Sequence, residues 1–316
     1  MKYTTLGITL FRKCNANCSI CCFESSPKCN ESLEVNFIKK YIDSAVGDKY
    51  LRNISFTGGE PFLDYNLLLE LVEYTTKKGF NATTITNCFW CHDLQETIEK
   101  LQVLKKFGLK RLSISYDEFH RQYIFIDCVK NILKACKIVG LPINIGIIKK
   151  QNTNIGNLIN DLGEEVLCAG IMAYPVLPVG GAVKNLKEID YIKYHIGETC
   201  LNCSYEGNLV VKYDGKIYPC CNQCVVQTAL AVGDYKEDNY QQTLYNIKNN
   251  GLLFLLRTEG LFPFIEYART KLNIVLPNKI VSSCELCKLF FSKENINKFA
   301  PFVREKINFI TKQYIK

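Results

Sequence analysis

The sequence predicts an α/β fold: a partial, TIM-like (β/α)6 barrel followed by a smaller cysteine-rich domain. Three observations point there. Short apolar segments alternate with amphipathic ones through the first 180 residues. The intervening stretches are long enough for helices, which makes βα units and a parallel sheet. Beyond about residue 197 the alternation stops and cysteines cluster.

The elements follow in order. Residues 4–11 (TTLGITLF), 53–58 (NISFTG), 81–87 (NATTITN), 110–117 (KRLSISYD), 142–149 (PINIGIIK) and 170–179 (GIMAYPVLPV) read as buried strands. Amphipathic stretches at 33–46, 64–78, 93–107, 121–139 and 154–163 read as the helices between them. Six such units form an open barrel, with chemistry on the loops at the C-terminal strand ends. Residues 1–196 are assigned to this domain and 197–316 to the second, in which LVVKYDGKIYPCC reads as a hairpin turning at Asp214-Gly215. Residues 240–258 and 263–273 read as helices.

Composition narrows the function. Apolar residues at 47% and charged residues at 22% describe a soluble globular protein. No apolar run is long enough for a signal peptide or a membrane span, so a cytoplasmic protein without a membrane partner is expected. In a reducing cytosol, 17 cysteines against 3 histidines favour thiolate metal sites over disulfides. The formal charge of +8 comes without long Lys or Arg runs. It suits an acidic peptide or a plain solvated surface, and no nucleic-acid partner is expected.

CNANCSIC places Cys14, Cys18 and Cys21 as C-x3-C-x2-C directly after the first strand. Three thiolates leave one iron of a 4Fe-4S cluster open to a small ligand. TGGEP, at the end of the second strand, sets two glycines, which permit close backbone approach, beside a carboxylate. Together the motifs resemble those of the radical S-adenosylmethionine (SAM) superfamily. The resemblance implies that the open iron holds SAM's amino and carboxylate groups. Gly58, Gly59 and Glu60 then form the GGE motif, with Glu60 accepting from SAM's ammonium. Ile20 packs on adenine, and Asn87 and Ser115 contact SAM. The expected chemistry is reductive cleavage of SAM to a 5′-deoxyadenosyl radical that abstracts hydrogen from carbon, driven by an electron donor such as flavodoxin or ferredoxin.

In the second domain Cys203, then Gly215 and Cys220, resembles the opening of a SPASM or twitch domain, which Cys284-Glu-Leu-Cys287 completes. Those four thiolates suffice for one auxiliary 4Fe-4S cluster. No cysteine follows Cys287, so two clusters are expected in all. Structural zinc remains an alternative, because C-x2-C pairs also build zinc ribbons. Cys221 is the odd residue: adjacent side chains on a strand point to opposite faces, so it cannot easily share a metal with Cys220. A free thiol there is either a small buried hydrophobe or a hydrogen-atom donor facing the barrel cavity.

CNANCSICCFESSP, ISFTGGE, SISYDEFH, YDGKIYPCC and FLLRTEG, in this order over nearly the whole chain, resemble the radical SAM peptide epimerases that make epipeptides. That likeness implies a ribosomally made precursor peptide as substrate. It also implies conversion of L- to D-residues by Hα abstraction, with Cys221 returning hydrogen from the opposite face. Asp117 and Glu118 are candidate substrate contacts, with helix capping as their alternative, and Glu206 is the nearest match to an acidic residue near the donor thiol. The pattern does not require Cys88 and Cys91; Cys200 and Cys224 are surplus and could compete as auxiliary ligands. Cys22, Cys29, Cys128, Cys136 and Cys168 read as structural thiols. The alternatives are a thioether-forming radical SAM peptide maturase and a non-enzymatic, zinc-stapled peptide- or nucleic-acid-binding module. No peptide-recognition domain is expected ahead of the first strand, which assigns substrate selection to the barrel mouth and residues 238–282.

Overall fold

The structure, a computed structural model, describes residues 2–203 and 207–314. The first part runs β1 (Thr5–Thr9), α1 (Val35–Ser44), β2 (Asn53–Thr57), α2 (Tyr65–Lys77), β3 (Asn81–Thr86), α3 (Leu94–Lys106), β4 (Leu109–Ser115), α4 (Ile126–Val139), β5 (Ile143–Lys149), α5 (Ile155–Leu162) and β6 (Ala169–Pro175). Each strand from β1 to β6 pairs in parallel with the next. The second part contains α6 (Gly181–Asn185), β7 (Tyr194–His195), β8 (Asn208–Val211), β9 (Lys216–Tyr218), β10 (Gly233–Asp234), α7 (Tyr240–Lys248), α8 (Gly251–Thr258), α9 (Phe262–Thr270), β11 (Lys279–Ile280), α10 (Ser283–Phe290) and α11 (Ala300–Tyr314). Strand β8 lies parallel beside β1, with Leu6 opposite Leu209, and β9 and β10 follow antiparallel. One nine-stranded sheet therefore runs from β10 to β6, while β11 and β7 form a separate pair.

The strand sequences explain why this barrel encloses space. Leu6 and Ile8 of β1, Ile54 and Phe56 of β2, and Ile143, Ile145 and Ile147 of β5 are buried in the main core. The alternate positions are small or polar: Thr5, Gly7, Thr9, Ser55, Thr57 and Gly146 line a cavity instead. A filled TIM barrel places bulky branched residues at such inward positions. Here the inward positions of β1 and β2 are small or polar, and a cavity remains.

Four expectations are corrected. The sixth strand is exposed on both faces, with Ile171, Met172 and Tyr174 all well exposed, because among the described residues no helix or strand covers it beyond β5. The helix expected over 121–139 starts at Ile126; Asp117 instead accepts from the amides of Phe119 and His120 and turns the chain there. The stretch 240–258 breaks into α7 and α8, since the Asn250 side chain accepts from Leu253 N and starts a new helix. The last of these expected helices ends at Thr270, short of 273. The hairpin holds as read: Lys212 N donates to Lys216 O at 2.9 Å, and Gly215 takes a φ of 83° in the turn. Among the described residues no helix is long and apolar enough to cross a membrane.

Candidate active site

At the C-terminal ends of the barrel strands, Cys14, Cys18 and Cys21 line one cavity of about 500 Å3. Their loop is tied down by bridges from Phe11 to Ser32 and from Lys13 to Ser26. Backbone amides are aimed at sulfur: Ala16 N donates to Cys14 Sγ at 3.4 Å and Ser25 N to Cys21 Sγ at 3.3 Å. Such N–H···S contacts stabilise cluster thiolates. Burial pushes the metal-free Cys14 and Cys18 thiols up to about 12, a cost that binding to cationic iron reverses. Thr9 Oγ1 and Ser25 Oγ are buried without hydrogen-bond partners, and both residues border the same cavity. Open thiols and orphaned hydroxyls fit a cluster carrying a polar ligand. Among the described residues no group of three or more His, Cys, Asp or Glu could hold a single metal ion. The three thiols instead border a volume that a larger group would fill.

The GGE segment serves this loop directly. A Cβ on Gly59 would stand 1.8 Å from Lys13 O, and one on Gly58, where φ is 154°, 2.5 Å from Phe11 O. The closest approach of both glycines is thus to the chain's own cluster loop, although both also border the cavity. Glu60 is buried; it accepts from Phe62 N and Thr86 Oγ1 on one oxygen and from Asn87 N on the other. Burial raises its carboxyl to about 7, against the opposing pull of those hydrogen bonds. Asn87 Nδ2 donates to Asn15 Oδ1 at 2.8 Å and faces Cys14 Sγ at 3.7 Å, so its amide braces the cluster loop. Ile20 and Ser115 also line the cavity.

The expected acidic contacts are redistributed. Asp117 is fully buried: Oδ1 accepts from Phe119 N and His120 N and lies 2.8 Å from His120 Nδ1, and Oδ2 accepts from Ile148 N. It holds His120, and His120 borders the cavity in its place. Among the described residues that lining contains no Lys or Arg, and His120 is the one lining side chain able to carry positive charge. Glu118 pairs with Lys150 at 3.1 Å and accepts from Thr153 Oγ1, tying two loops together away from the lining. Glu206 lies outside the described residues.

A second, apolar pocket is lined by Cys203, Cys220, Cys284 and Cys287, with Cys224 as a fifth thiol. Cys284 and Cys287, three apart on α10, share a helix face. The Asn222 backbone beside Cys220 opposes the upward push that burial gives its thiol. Arg257, from FLLRTEG, also lines this pocket; its Nη2 donates to Tyr3 Oη and to Pro219 O, immediately before Cys220. Cys200 is exposed and stands outside the lining. Cys221 turns the other way: it opens onto the first cavity, which Asn208 also lines. Cys221 is exposed on that side, and the protein packed around its sulfur raises its pKa above the ordinary thiol value, so it stays protonated at neutral pH.

Sequence reasoning missed several of these residues. His120 sat within a quoted motif, and its Asp-x-x-His spacing was the available signal. Cys22, read as structural, borders the first cavity. Gly180 had no local signal: with φ at 54°, its Cβ position lies 2.5 Å from both Cys21 O and Cys22 O, a contact between distant segments. Cys88, Cys91, Cys128 and Cys136 are buried in the main core, whereas Cys168 is exposed.

Comparison with known proteins gives a consistent result. The profile of the radical SAM superfamily matches residues 8–162. The putative peptide biosynthesis protein YydG of Bacillus subtilis (strain 168) is 31% identical over 314 residues, covering 96% of this chain and 97% of its own. Among solved structures, native anSMEcpe with bound AdoMet and Cp18Cys peptide has a TM-score of 0.54 at 15% identity, over 97% of this chain and 99% of that one. Streptococcus suis SuiB bound to S-adenosylmethionine has a TM-score of 0.58 at 15% identity, over 81% and 68%. Those two structures share its fold.

Proposed function

This chain belongs to the radical SAM superfamily, and on that premise we propose that it is a peptide epimerase, converting selected L-residues of a ribosomally made peptide to D. Its likeness to a peptide biosynthesis protein along almost its full length makes it a peptide-modifying radical SAM enzyme. The finer reading is carried by one observation: adjacent cysteines open onto two different pockets, Cys220 onto the second and Cys221 onto the first.

The residues present divide the work. Cys14, Cys18 and Cys21 would hold the first 4Fe-4S cluster. Glu60 would accept from SAM's ammonium, and His120 would face its carboxylate. Cys203, Cys220, Cys284 and Cys287 would hold the auxiliary cluster, with Arg257 as a positive charge at its pocket. When bound, the first cluster and SAM supply a 5′-deoxyadenosyl radical able to take an Hα from the peptide. The Cys221 S–H bond is weak enough to return a hydrogen atom to the resulting Cα from the opposite face. The inverted hydrogen then points away from where abstraction occurred, which blocks reversal. One electron from the external reductant, relayed by the group the second pocket would hold beside Cys220, and one proton from solvent would restore the thiol. A raised pKa suits this role, since a thiolate has no hydrogen atom to give.

The test uses reconstituted enzyme, SAM, a reductant and the peptide encoded beside the gene, in heavy water. Deuterium gained at Cα with no other mass change, and absent from the product of Cys221→Ala, is the expected result. Loss of two hydrogens without deuterium uptake would mean a cross-link and overturn the donor role.

A further inference from the structure

The two ends of the nine-stranded sheet are built in opposite ways. At one end β10 is two residues long, and its Asp234 is paired with Lys216 at 3.1 Å. Short, charged strands are how proteins blunt an edge against pairing. At the other end β6 is seven residues, Ala-Gly-Ile-Met-Ala-Tyr-Pro, without a single charge. Among the described residues it pairs with β5 alone, and both its faces are exposed.

The hydrogen-bond phase identifies the unpaired groups. Val176 N donates to Lys149 O at 2.9 Å. By the two-residue strand period, the amides of Gly170, Met172 and Tyr174 also point at β5, and those of Ile171 and Ala173 point outward with their carbonyls. Such a row accepts one kind of partner, another extended backbone. The edge is also continuous with the active-site cavity. Met172 and Tyr174 stand beside Gly146 and Ile148 of β5, which line it.

We infer that β6 is a docking edge on which the substrate peptide adds as a tenth strand. Pairing along the edge fixes the peptide's register before it crosses into the cavity. Seven residues at about 3.3 Å each give the segment roughly 20 Å of alignment. Specificity would then rest partly on backbone pairing and on peptide side chains that alternate against Met172 and Tyr174. The inference rests on the peptide-modifying reading above, and its test separates the two.

The test is residue-resolved hydrogen–deuterium exchange on the reconstituted holoenzyme, with and without a synthetic peptide of the reading frame beside the gene. Amides of Ile171 and Ala173 are expected to slow at least tenfold when the peptide binds, with smaller change at Met172 and Tyr174. Ala173→Pro removes only an outward amide, a place where edge strands accept proline. It should raise the peptide's KM at least tenfold and leave SAM affinity and peptide-free SAM cleavage unchanged. Ile171→Lys, which copies a natural edge charge and retains the amide, should weaken the peptide in the same direction. Bound peptide with unchanged exchange at Ile171 and Ala173, or both variants with wild-type KM, overturns the docking edge. So does protection that appears without peptide and tracks dimer formation in sedimentation, since a second copy then occupies β6. Epimerised product without edge protection refutes this inference alone, whereas edge protection with a cross-linked product refutes the epimerase reading alone.

Discussion

Gly59→Ala perturbs the cluster loop without touching a proposed ligand. Gly59 N donates to Phe11 O at 2.7 Å and Glu60 N to Lys13 O at 3.0 Å, which clamps the loop over the end of β2. The new methyl would meet Lys13 O at 1.8 Å, Lys13 C at 2.3 Å and Arg12 O at 2.7 Å. Side-chain carbons essentially never approach closer than 3.0 Å, so the Lys13 carbonyl must retreat by at least 1.2 Å. Every obstructing atom is backbone, and no rotamer can relieve the clash. Overpacking of this kind costs about 3 kcal/mol. Cys14 follows Lys13 directly, and metal ligation tolerates displacements of only about 0.2 Å. The variant should therefore fold with a lower urea midpoint and reconstitute with about four fewer irons per chain than the wild type. Its SAM-dependent change in the EPR spectrum should vanish. A variant that holds its full iron and responds to SAM as wild type would refute the clamp.

Two further outcomes follow from the same cavity. Glu60, with its carboxyl raised by burial from 4.5 to about 7, binds a proton in the folded chain that the unfolded chain releases earlier. Metal-free protein should thus lose about 3 kcal/mol of stability as pH rises from 4.5 to 7 and level off above, and Glu60→Gln should remove that slope. Urea midpoints at pH 5 and 8 measure it; equal slopes in both proteins sink the idea. His120→Gln deletes the cavity's one potential cation and should raise the Kd for SAM at least about tenfold, the usual worth of a charge-assisted hydrogen bond. Unchanged SAM binding would leave His120 without a ligand role.

What the chain discloses by itself is what lies close together along it. C-x3-C-x2-C and GGE each place their residues within eight positions, and a strand before each motif is enough to orient it. The βα alternation is equally local, so β1 to β6 match their expected segments closely. The misreadings concern groups whose surroundings come from elsewhere. An apolar strand looks the same in sequence whether or not a neighbour covers it, so the exposure of β6 could not be read from GIMAYP. Asp117 looked like a ligand contact until Ile148 N, 31 residues away, proved to be one of its partners. Cys224 joins the second pocket through a short 3-10 turn after β9 that packs on α10, again a tertiary fact.

Cys220 and Cys221 stand between these two cases, and they explain why the chemistry was more legible than the substrate. The two cysteines follow β9, which ends at Tyr218, and open onto different pockets, so one cysteine pair can serve both with no insertion between them. That economy carries a constraint. Any shift of the segment after β9 that moves Cys220 within the second pocket also moves Cys221 relative to the cavity, and Arg257 and Tyr3 fix the Pro219 carbonyl just before both. The pair is therefore positioned as a unit by residues far apart in the chain. Peptide selection has no comparable local device: on the docking proposal it depends on β6, whose exposure is a tertiary fact.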